Sequence, residues 1–226
     1  MSRPIATIFD AYGTLLNVHS AMERHAARLG PAWQALSQEW RVKQLEYSFV
    51  RSLAGPAHHR DFAQLTDDAL AFVAARHGIE DARLLADLRA AYRSLNAYPE
   101  VPATLAALRK SGIACAILSN GSPPMLAEGV AAAGLTDVLD DVLSVESVGV
   151  FKPDRRVYQL AVDRFGASSP AQLAFVSSNA WDAFGAAGFG FRVFWINRVR
   201  QPEEYGLRAR VTELADLAAL PVHLGA

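Results

Sequence analysis

A carboxylate directly follows an apolar run near the start of the chain, where Asp10 comes after Ile5–Phe9. Such a run predicts a buried β-strand, and open α/β sheets bind ligands at the carboxyl ends of their strands. Two residues further on, Tyr12 takes the place of a second acid that would help to hold a magnesium ion for phosphoryl transfer. The pattern therefore favours an aspartate nucleophile that attacks carbon.

Polar residues also follow three later apolar runs, and in a parallel sheet these endings share one edge with Asp10. They are Ser119–Asn120–Gly121, Phe151–Lys152–Pro153 and the segment from Ser177 to Asp182. One such ending is a common turn signal, whereas four at the same edge predict a site. Lys152 is one of three lysines beside 19 arginines, and its ammonium can keep Asp10 ionised against the like charge of Asp182.

The elements that must position these residues follow from hydrophobic periodicity. Strand-like runs occur at Ile5–Phe9, Ile113–Leu118, Val142–Val145, Leu173–Val176 and Arg192–Ile196, with helical patterns in most of the gaps. This alternation predicts an α/β fold with a doubly wound, Rossmann-like parallel sheet. The final stretch, 211–220, predicts one last strand residue and an Ala/Leu-rich helix.

The first gap is too long for an ordinary crossover, because about eighty residues between Leu16 and Tyr98 have helical periodicity and no convincing strand. The helices predicted there are Ser20–Leu29, Ala32–Arg51, Thr66–His77 and Arg83–Tyr98. We expect residues 1–16 and 99–226 to form the core, and residues 17–98 to form an inserted helical cap domain. A segment that leaves and rejoins the sheet beside Asp10 can cover that residue and exclude water.

The composition is typical of a protein that binds a small molecule. The 226 residues are 51% hydrophobic and 20% charged with a formal net charge of -1, and no dense basic run would neutralise nucleic-acid phosphates. No apolar run is long enough for a membrane span and the start is too short for a secretory signal, so we expect a cytoplasmic protein with no membrane partner. Cys115, the single cysteine, is expected to be a packed thiol.

Several phrases spread over nearly the whole chain resemble the haloacid dehalogenase superfamily and, within it, the L-2-haloacid dehalogenases. They are DAYGTL from Asp10, LSNG from Leu118, FKP from Phe151, SSNAWD from Ser177, FWINR from Phe194 and the segment Trp40–Tyr47. The resemblance implies hydrolysis of short-chain L-2-haloalkanoic acids to D-2-hydroxy acids and halide through an ester on Asp10. It also implies that the reaction needs water but no metal or other cofactor, and that the protein is a homodimer.

The catalytic residues that the resemblance implies are Asp10, Thr14, Arg41, Lys152, Ser177, Asn179 and Asp182. Thr14 can hold the nucleophile by a hydrogen bond or serve as an ordinary turn residue. Arg41 would accept the departing halide, a role that rests on the resemblance alone because a helical arginine is otherwise a solvated one. Asp182, with the nearby serine and asparagine, would position the water that hydrolyses the ester; by itself it could be an acid favoured in a helix's first turn.

The residues expected around the substrate are Ala11, Tyr12, Arg41, Leu45, Phe62, Ser119, Asn120, Tyr158 and Trp181. Ser119, Asn120 and the backbone amides of the Asp10–Tyr12 loop would bind the substrate carboxylate. The apolar members would wall the pocket, although core packing explains each of them when it is considered alone. Tyr158 can hydrogen-bond within the site or pack in the core.

Two other functions remain open on the sequence alone. A magnesium-dependent phosphatase on the same scaffold is disfavoured by Tyr12 and by the SSNAWD phrase, which leave too few oxygen ligands for the metal. A non-catalytic binding protein is disfavoured because Asp10, Lys152 and Asp182 are all present.

Two pairs of residues have no assigned role. Phe184 and Phe189 follow the SSNAWD phrase where smaller residues are expected, and they could reshape the pocket or pack the following helix. His58 and His59 follow Gly55–Pro56 in a predicted loop, and without a nearby third ligand they favour a solvated pair over a metal site.

Overall fold

A computed structural model of the protein describes residues 3–226. Residues 1 and 2, which are assigned to the core and considered above as part of a secretory signal, lie outside the described residues. Six parallel strands form one sheet in the order β3-β2-β1-β4-β5-β6. The strands are β1 (Ala6–Phe9), β2 (Ala114–Ser119), β3 (Asp141–Ser144), β4 (Leu173–Ser177), β5 (Arg192–Ile196) and β6 (Thr212–Leu214). The predicted doubly wound parallel sheet is confirmed.

Helices account for most of the connections between the strands. Within residues 3–226 they are α1 (Ser20–Glu23), α2 (Ala26–Leu29), α3 (Trp33–Ala54), α4 (Phe62–Arg76), α5 (Ala82–Arg93), α6 (Val101–Lys110), α7 (Pro123–Ala132), α8 (Arg155–Phe165), α9 (Ala180–Phe189) and α10 (Leu220–Leu224). In the described part of the chain, no helix is long and apolar enough to cross a membrane.

The strand order changes direction at β1, which lies between β2 and β4. Phe9, the last residue of β1, pairs in register with Ile117 of β2 and with Val176 of β4. The amide of Asp10 continues the ladder by donating to the carbonyl of Val176 over 2.9 Å. Asp10 therefore lies at the switch point of the sheet, which is the position where open α/β sheets bind ligands.

Residues 17–98, here called the helical insert, contain α1 to α5 and no strand of the sheet. The chain segments that enter and leave the insert run side by side: the amide of Asn17 donates to Asn96 over 2.8 Å, and that of Tyr98 donates to Leu15 over 3.0 Å. The long helix α3 packs on α4. The helical character of this segment agrees with the sequence, and its status as a separate domain stays a prediction.

One predicted helix, Ser20–Leu29, is broken in the structure. The break falls at Arg24 and His25, so α1 and α2 are separate short helices. The Arg24 guanidinium donates to the side-chain oxygen of Asn96 over 2.6 Å and also bonds to Ser94. Hydrogen bonds to a segment about seventy residues away therefore fix the chain at the break, and local periodicity cannot predict such bonds.

The C-terminal stretch differs from its predicted Ala/Leu-rich helix. Residues Thr212–Leu214 form β6, in which Glu213 pairs with Trp195 of β5 in parallel register. The side chain of Asp216 then accepts the amide of Ala218, and the chain turns before α10 begins. Pairing with the sheet therefore overrides the local helical composition.

Cys115 lies within β2 and is fully buried. Burial, with a smaller contribution from Asp140, raises the pKa of its thiol to about 12. A thiol with so high a pKa is protonated at neutral pH and is a poor nucleophile. The prediction of a packed thiol is confirmed.

Candidate active site

The loop after β1 places Asp10 at the edge of the sheet with 5% of its surface exposed. Its Oδ2 accepts hydrogen bonds from Thr14 Oγ1 at 2.9 Å and from Asn179 Nδ2 at 2.7 Å. Its Oδ1 lies 3.2 Å from Nζ of Lys152. Two neutral donors and one cation therefore hold the carboxylate in one orientation, as an aimed nucleophile requires.

Lys152 follows β3 and its side chain is fully buried. Its Nζ also donates to Asp182 Oδ2 at 2.9 Å and lies 5.0 Å from the centre of the Phe175 ring. Burial by itself would lower the pKa of this ammonium, but the carboxylates of Asp10 and Asp182 outweigh burial and raise the pKa above its ordinary value. Lys152 is therefore a fixed buried cation and not a solvated surface lysine.

Asp182 lies in the first turn of α9 and is fully buried. The Tyr158 hydroxyl donates to its Oδ1 at 2.8 Å and its ring packs on Phe175, so the hydrogen bond and the core packing that the sequence left open occur together. Contact of Tyr158 with the substrate stays a prediction. Burial raises the pKa of Asp182 above its ordinary value, although Lys152 opposes that rise. A carboxylate that binds a proton more readily than a free aspartate is suited to take a proton from water.

The ammonium of Lys152 bridges the carboxylates of Asp10 and Asp182. Each of the four carboxylate oxygens accepts a hydrogen bond from a protein donor. Across residues 3–226, no three His, Cys, Asp or Glu side chains are grouped so that they could hold a metal ion. The positive charge next to the nucleophile is supplied by an amino-acid side chain, which offsets the repulsion between the two acids.

The loop between β4 and α9 carries two further predicted residues, Ser177 and Asn179. The buried Ser177 Oγ accepts the amide of Asn179 over 3.1 Å. Besides its bond to Asp10, the Asn179 Nδ2 donates to the carbonyl of Tyr12 over 3.2 Å. Gly13 has a φ of 92°, a left-handed conformation that strains any residue with a side chain, so the turn that brings Asp10 beside Asn179 requires glycine.

Arg41 reaches the site from α3 of the helical insert. Its Nη2 donates to the carbonyl of Tyr12 at 3.0 Å and lies 3.4 Å from Asn179 Oδ1. Asn179 thus contacts both Arg41 and Asp10. The arginine is half-buried and not solvated, and an always-charged donor array in such a place can stabilise an anion.

Ser119 and Asn120 follow the neighbouring strand β2 and are both buried. Asn120 Oδ1 accepts the amide of Lys152 over 3.0 Å, which fixes the backbone that carries the buried cation. In the described chain, the amides of Ala11 and Tyr12 donate to no protein acceptor. Two adjacent amides at a strand end can bind an anion, as predicted for the substrate carboxylate.

Aromatic rings from the sheet edge and the helical insert pack beside the site. Tyr12 packs against Phe62 and Tyr92, with ring centres 5.8 Å and 5.9 Å away. Phe62 is almost fully buried and also packs on Phe151, and Leu45 is half-buried on α3. These rings form an apolar wall that helps to exclude water, and their contact with the substrate stays a prediction.

Trp181 lines a cavity of about 490 Å³ whose lining also includes Lys152, and it packs edge-on against Phe49, with ring centres 5.1 Å apart. Phe184 lines the same cavity and is 38% exposed. Phe189 instead packs on the ring of Tyr158, the hydrogen-bond partner of Asp182, with ring centres 5.7 Å apart. The two phenylalanines therefore differ: Phe184 shapes a pocket, and Phe189 packs the core.

His59 is not the solvated residue that the sequence predicts, whereas His58 is exposed as expected. The Nε2 of His59 lies 3.0 Å from a carboxylate oxygen of Glu146, and its ring packs on Phe151 at 5.1 Å. The loop after α3 folds onto the segment after β3, so a partner distant in sequence covers this histidine. The pair links the helical insert to the segment that precedes Lys152.

Sequence reasoning did not identify Gln44, which is fully buried on α3. Its Oε1 accepts from Arg41 Nη1 at 2.7 Å and from the Tyr92 hydroxyl at 3.1 Å, and its Nε2 donates to Thr66 Oγ1. These bonds fix the guanidinium beside the nucleophile loop. Its spacing of four residues from Trp40 was the available signal, because residues i and i+4 share one helix face.

An aspartate held by a lysine at the switch point of a doubly wound sheet is the arrangement found in a class of hydrolases. The model of the haloacid dehalogenase-like hydrolases matches residues 6–190. The chain therefore belongs to that family.

Individual relatives of the chain identify the group within this family to which it belongs. (S)-2-haloacid dehalogenase 1 from Pseudomonas sp. (strain CBS-3) is 45% identical over 217 residues, which cover 96% of this chain and 94% of the relative. (S)-2-haloacid dehalogenase 4A from Burkholderia cepacia is 47% identical over 216 residues, with 94% and 92% covered. The structure of L-2-haloacid dehalogenase from Xanthobacter autotrophicus with chloropropionic acid covalently bound matches with a TM-score of 0.89 and 36% identity, over 100% of this chain and 99% of that one. Within the hydrolases, the chain belongs to the (S)-2-haloacid dehalogenases.

Proposed function

We propose that the protein hydrolyses short-chain L-2-haloalkanoic acids, such as haloacetates and 2-halopropionates, to D-2-hydroxy acids and halide. The observation that carries the proposal is the buried Asp10 carboxylate, aimed by Thr14 and Asn179 and paired with Lys152. The Xanthobacter autotrophicus relative with chloropropionic acid covalently bound supports an intermediate in which the protein is esterified.

In the first step, Asp10 attacks the carbon that bears the halogen. Oδ1 has one protein donor and Oδ2 has two, so Oδ1 keeps more of its lone pairs for the attack. A bond forms between Oδ1 and C2 while the carbon–halogen bond breaks, and its electron pair leaves with the halide. Arg41, which lies next to Asn179, stabilises the departing halide.

In the second step, Asp182 takes a proton from water, and the hydroxide adds to the side-chain carbonyl carbon of esterified Asp10. The resulting oxyanion is Oδ2, which Thr14 and Asn179 stabilise by hydrogen bonds, and Ser177 and Asn179 hold the water. The bond between that carbon and the ester oxygen Oδ1, which lies beside Lys152, then breaks, and the proton on Asp182 passes to the departing alkoxide to give the hydroxy acid. Asp10 releases the second proton of the water to solvent and is again a carboxylate. C2 is attacked once, so its configuration is inverted and an L substrate gives a D product.

The substrate carboxylate binds to Ser119, Asn120 and the amides of Ala11 and Tyr12. All four groups lie at the ends of β1 and β2, beside the nucleophile. Leu45, Phe62 and Trp181, with the ring of Tyr12, surround the alkyl part; Tyr158 acts through Asp182. The substrate is thus bound at its carboxylate and enclosed at its alkyl end, which places its C2 next to Asp10.

We propose that residues 17–98 act as a cap over a core of residues 1–16 and 99–226. Arg41 and Phe62 from the insert contact the nucleophile loop, and Asp10 is 5% exposed. A dry site strengthens the interaction of Lys152 with Asp10. The paired segments at Leu15–Asn17 and Asn96–Tyr98 are the hinge about which the cap opens for substrate.

The protein acts as a cytoplasmic homodimer in this proposal. Exposed Val42, Val50 and Leu53 on α3 and Phe72 on α4 give the insert an apolar surface suited to a second copy. The single buried thiol of Cys115 fits a reducing compartment. Light scattering would give twice the chain mass, and Val50→Glu would yield monomers; a monomeric parent protein would exclude the dimer.

Halide release tests the proposal directly. The protein is incubated with L- or D-2-chloropropionate in EDTA, and chloride and the configuration of the lactate are measured. We expect chloride and D-lactate from the L enantiomer, none from Asp10→Asn, and parental rates from Asp216→Asn, a change on the surface. Magnesium-dependent hydrolysis of a phosphate ester with no halide release from any haloacid would overturn the proposal.

A further inference from the structure

Arg198, the last residue of the FWINR phrase, lies in the loop after β5 and has no role in the steps described above. Its side chain is 16% exposed. Nη1 donates to the carbonyl of Gly13 at 3.3 Å and to Ser178 Oγ at 2.9 Å, and Nη2 donates to the carbonyl of Thr14 at 2.9 Å. One guanidinium therefore binds both the loop that carries Asp10 and the loop after β4.

These contacts converge on the hydroxyl that orients the nucleophile. Thr14 Oγ1 donates to Asp10 Oδ2 at 2.9 Å, and it accepts the amide of Ser178 at 2.8 Å. Arg198 holds the backbone of Thr14 on one side and the side chain of Ser178 on the other. Movement of either residue would rotate the Thr14 hydroxyl away from Asp10.

The same guanidinium also binds the segment that returns from the helical insert. Nε and Nη2 donate to Glu100 Oε1 at 2.9 Å and 2.6 Å, and the guanidinium carbon lies 3.8 Å from the centre of the Tyr98 ring. The amide of Tyr98 donates to Leu15, next to Thr14. Arg198 thus joins the hinge of the insert to the nucleophile loop.

Only a planar fork of donors makes this set of contacts. A lysine ammonium could pair with Glu100, but it cannot reach three acceptors in one plane while stacking on a ring. Arg198 does not touch Asp10, Lys152 or Asp182, so its effect passes through Thr14.

Resting on the proposed function, we propose that Arg198 is a positioning residue: it fixes the Gly13–Thr14 backbone so that Asp10 stays aimed at C2 when the cap closes. A displacement of about 1 Å at a reacting group costs about 10²-fold in rate. Ser119 and Asn120 bind the substrate at the end of β2, away from Arg198, and keep their geometry, whereas the amides of Ala11 and Tyr12 share the loop that Arg198 fixes. The kinetic effect of losing Arg198 is therefore much larger on kcat than on KM.

The test uses steady-state kinetics with L-2-chloropropionate on the whole protein. Arg198→Lys is expected to lower kcat by about 10²-fold with KM within about threefold of the parent value. Arg200→Lys, an exposed arginine two residues away, is the matched control and keeps the parent kcat. Urea unfolding identifies loss of the fold, and if Arg198→Lys is unfolded, Arg198→Gln, which keeps a planar donor, replaces it.

A double-mutant cycle with Thr14→Ala separates positioning from general stability. If Arg198 acts through the Thr14 hydroxyl, the double variant loses little more kcat than the worse single variant. Additive losses, a change confined to KM, or a parental kcat in Arg198→Lys would each overturn the inference. If the parent protein releases no halide, the proposed function fails; if the parent releases halide and Arg198→Lys matches it, the positioning role alone fails.

Discussion

The ammonium of Lys152 lies 3.2 Å from Oδ1 of Asp10, and both side chains are almost completely shielded from solvent. A second acid, Asp182, lies 2.9 Å from the same ammonium. Removal of one partner from a buried ion pair is costly because the remaining charge is left without compensation. Lys152 is therefore the group that compensates the charges of both acids.

Lys152→Met keeps the length of the side chain and removes its charge. We expect kcat/KM for L-2-chloropropionate to fall by about 10³-fold, because the departing alkoxide and both carboxylates lose their cation. The free energy of unfolding at neutral pH should fall by about 3–5 kcal/mol. Lys110→Met, on the exposed end of α6, is the control and should match the parent. Activity above about a tenth of the parent value would contradict this role.

The acid limb of kcat should report Asp182. This carboxylate must be ionised to take a proton from water, so activity falls as the pH falls through its pKa, which burial has raised. The Tyr158 hydroxyl lowers that pKa by its hydrogen bond. Tyr158→Phe should therefore move the acid limb to higher pH, while Tyr205→Phe, on the surface, leaves it in place. A pH–rate profile measures the shift, and movement to lower pH would contradict the assignment.

Stability should decline in alkaline solution. The pKa of Lys152 is raised above its ordinary value by Asp10 and Asp182 against the effect of burial, and burial raises those of Tyr12 and Tyr158. The folded state then keeps protons that the unfolded state loses, so the stabilisation is complete below about pH 10 and is lost above it. Urea unfolding from about pH 8 to about pH 11 should show this decline, and a smaller one in Tyr158→Phe. A constant unfolding free energy would count against it.

The role of Arg41 should appear in the dependence on the leaving group. Chloride is a poorer leaving group than bromide and needs more stabilisation as it departs. Arg41→Lys should thus slow L-2-chloropropionate more than L-2-bromopropionate, within an overall loss of about 10²-fold. Arg51→Lys, ten residues further along the same helix, is the control and should leave the ratio of the two rates unchanged. Equal losses for both halides would remove Arg41 from halide stabilisation.

The sheet and its reactive edge could be predicted because they depend on local patterns. Buried parallel strands read as continuous apolar runs, and the predicted strand Arg192–Ile196 coincides with β5. Asp10 and Ser119 come directly after such runs, so their convergence follows from the topology of the sheet. The full extent of strand β6 could not be predicted, since its three residues are defined by pairing with β5 and not by composition.

The supporting contacts could not be predicted, because they join residues far apart in sequence. Arg198 reaches Thr14 across 184 residues, and 19 arginines offered no local reason to select it. The bond of Gln44 to Tyr92 and the pair of His59 with Glu146 likewise depend on how the helical insert packs. These contacts are set by tertiary structure, which periodicity does not encode.

The most direct test of the aspartyl-ester mechanism is a single turnover in water enriched in oxygen-18, with the protein in excess over L-2-chloropropionate. The hydroxyl oxygen of the lactate should come from Asp10 and be unlabelled, and mass spectrometry of the peptide that contains Asp10 should find the label in its carboxylate. Label in the lactate with none in that peptide would mean that water attacks C2 directly, and it would contradict the mechanism.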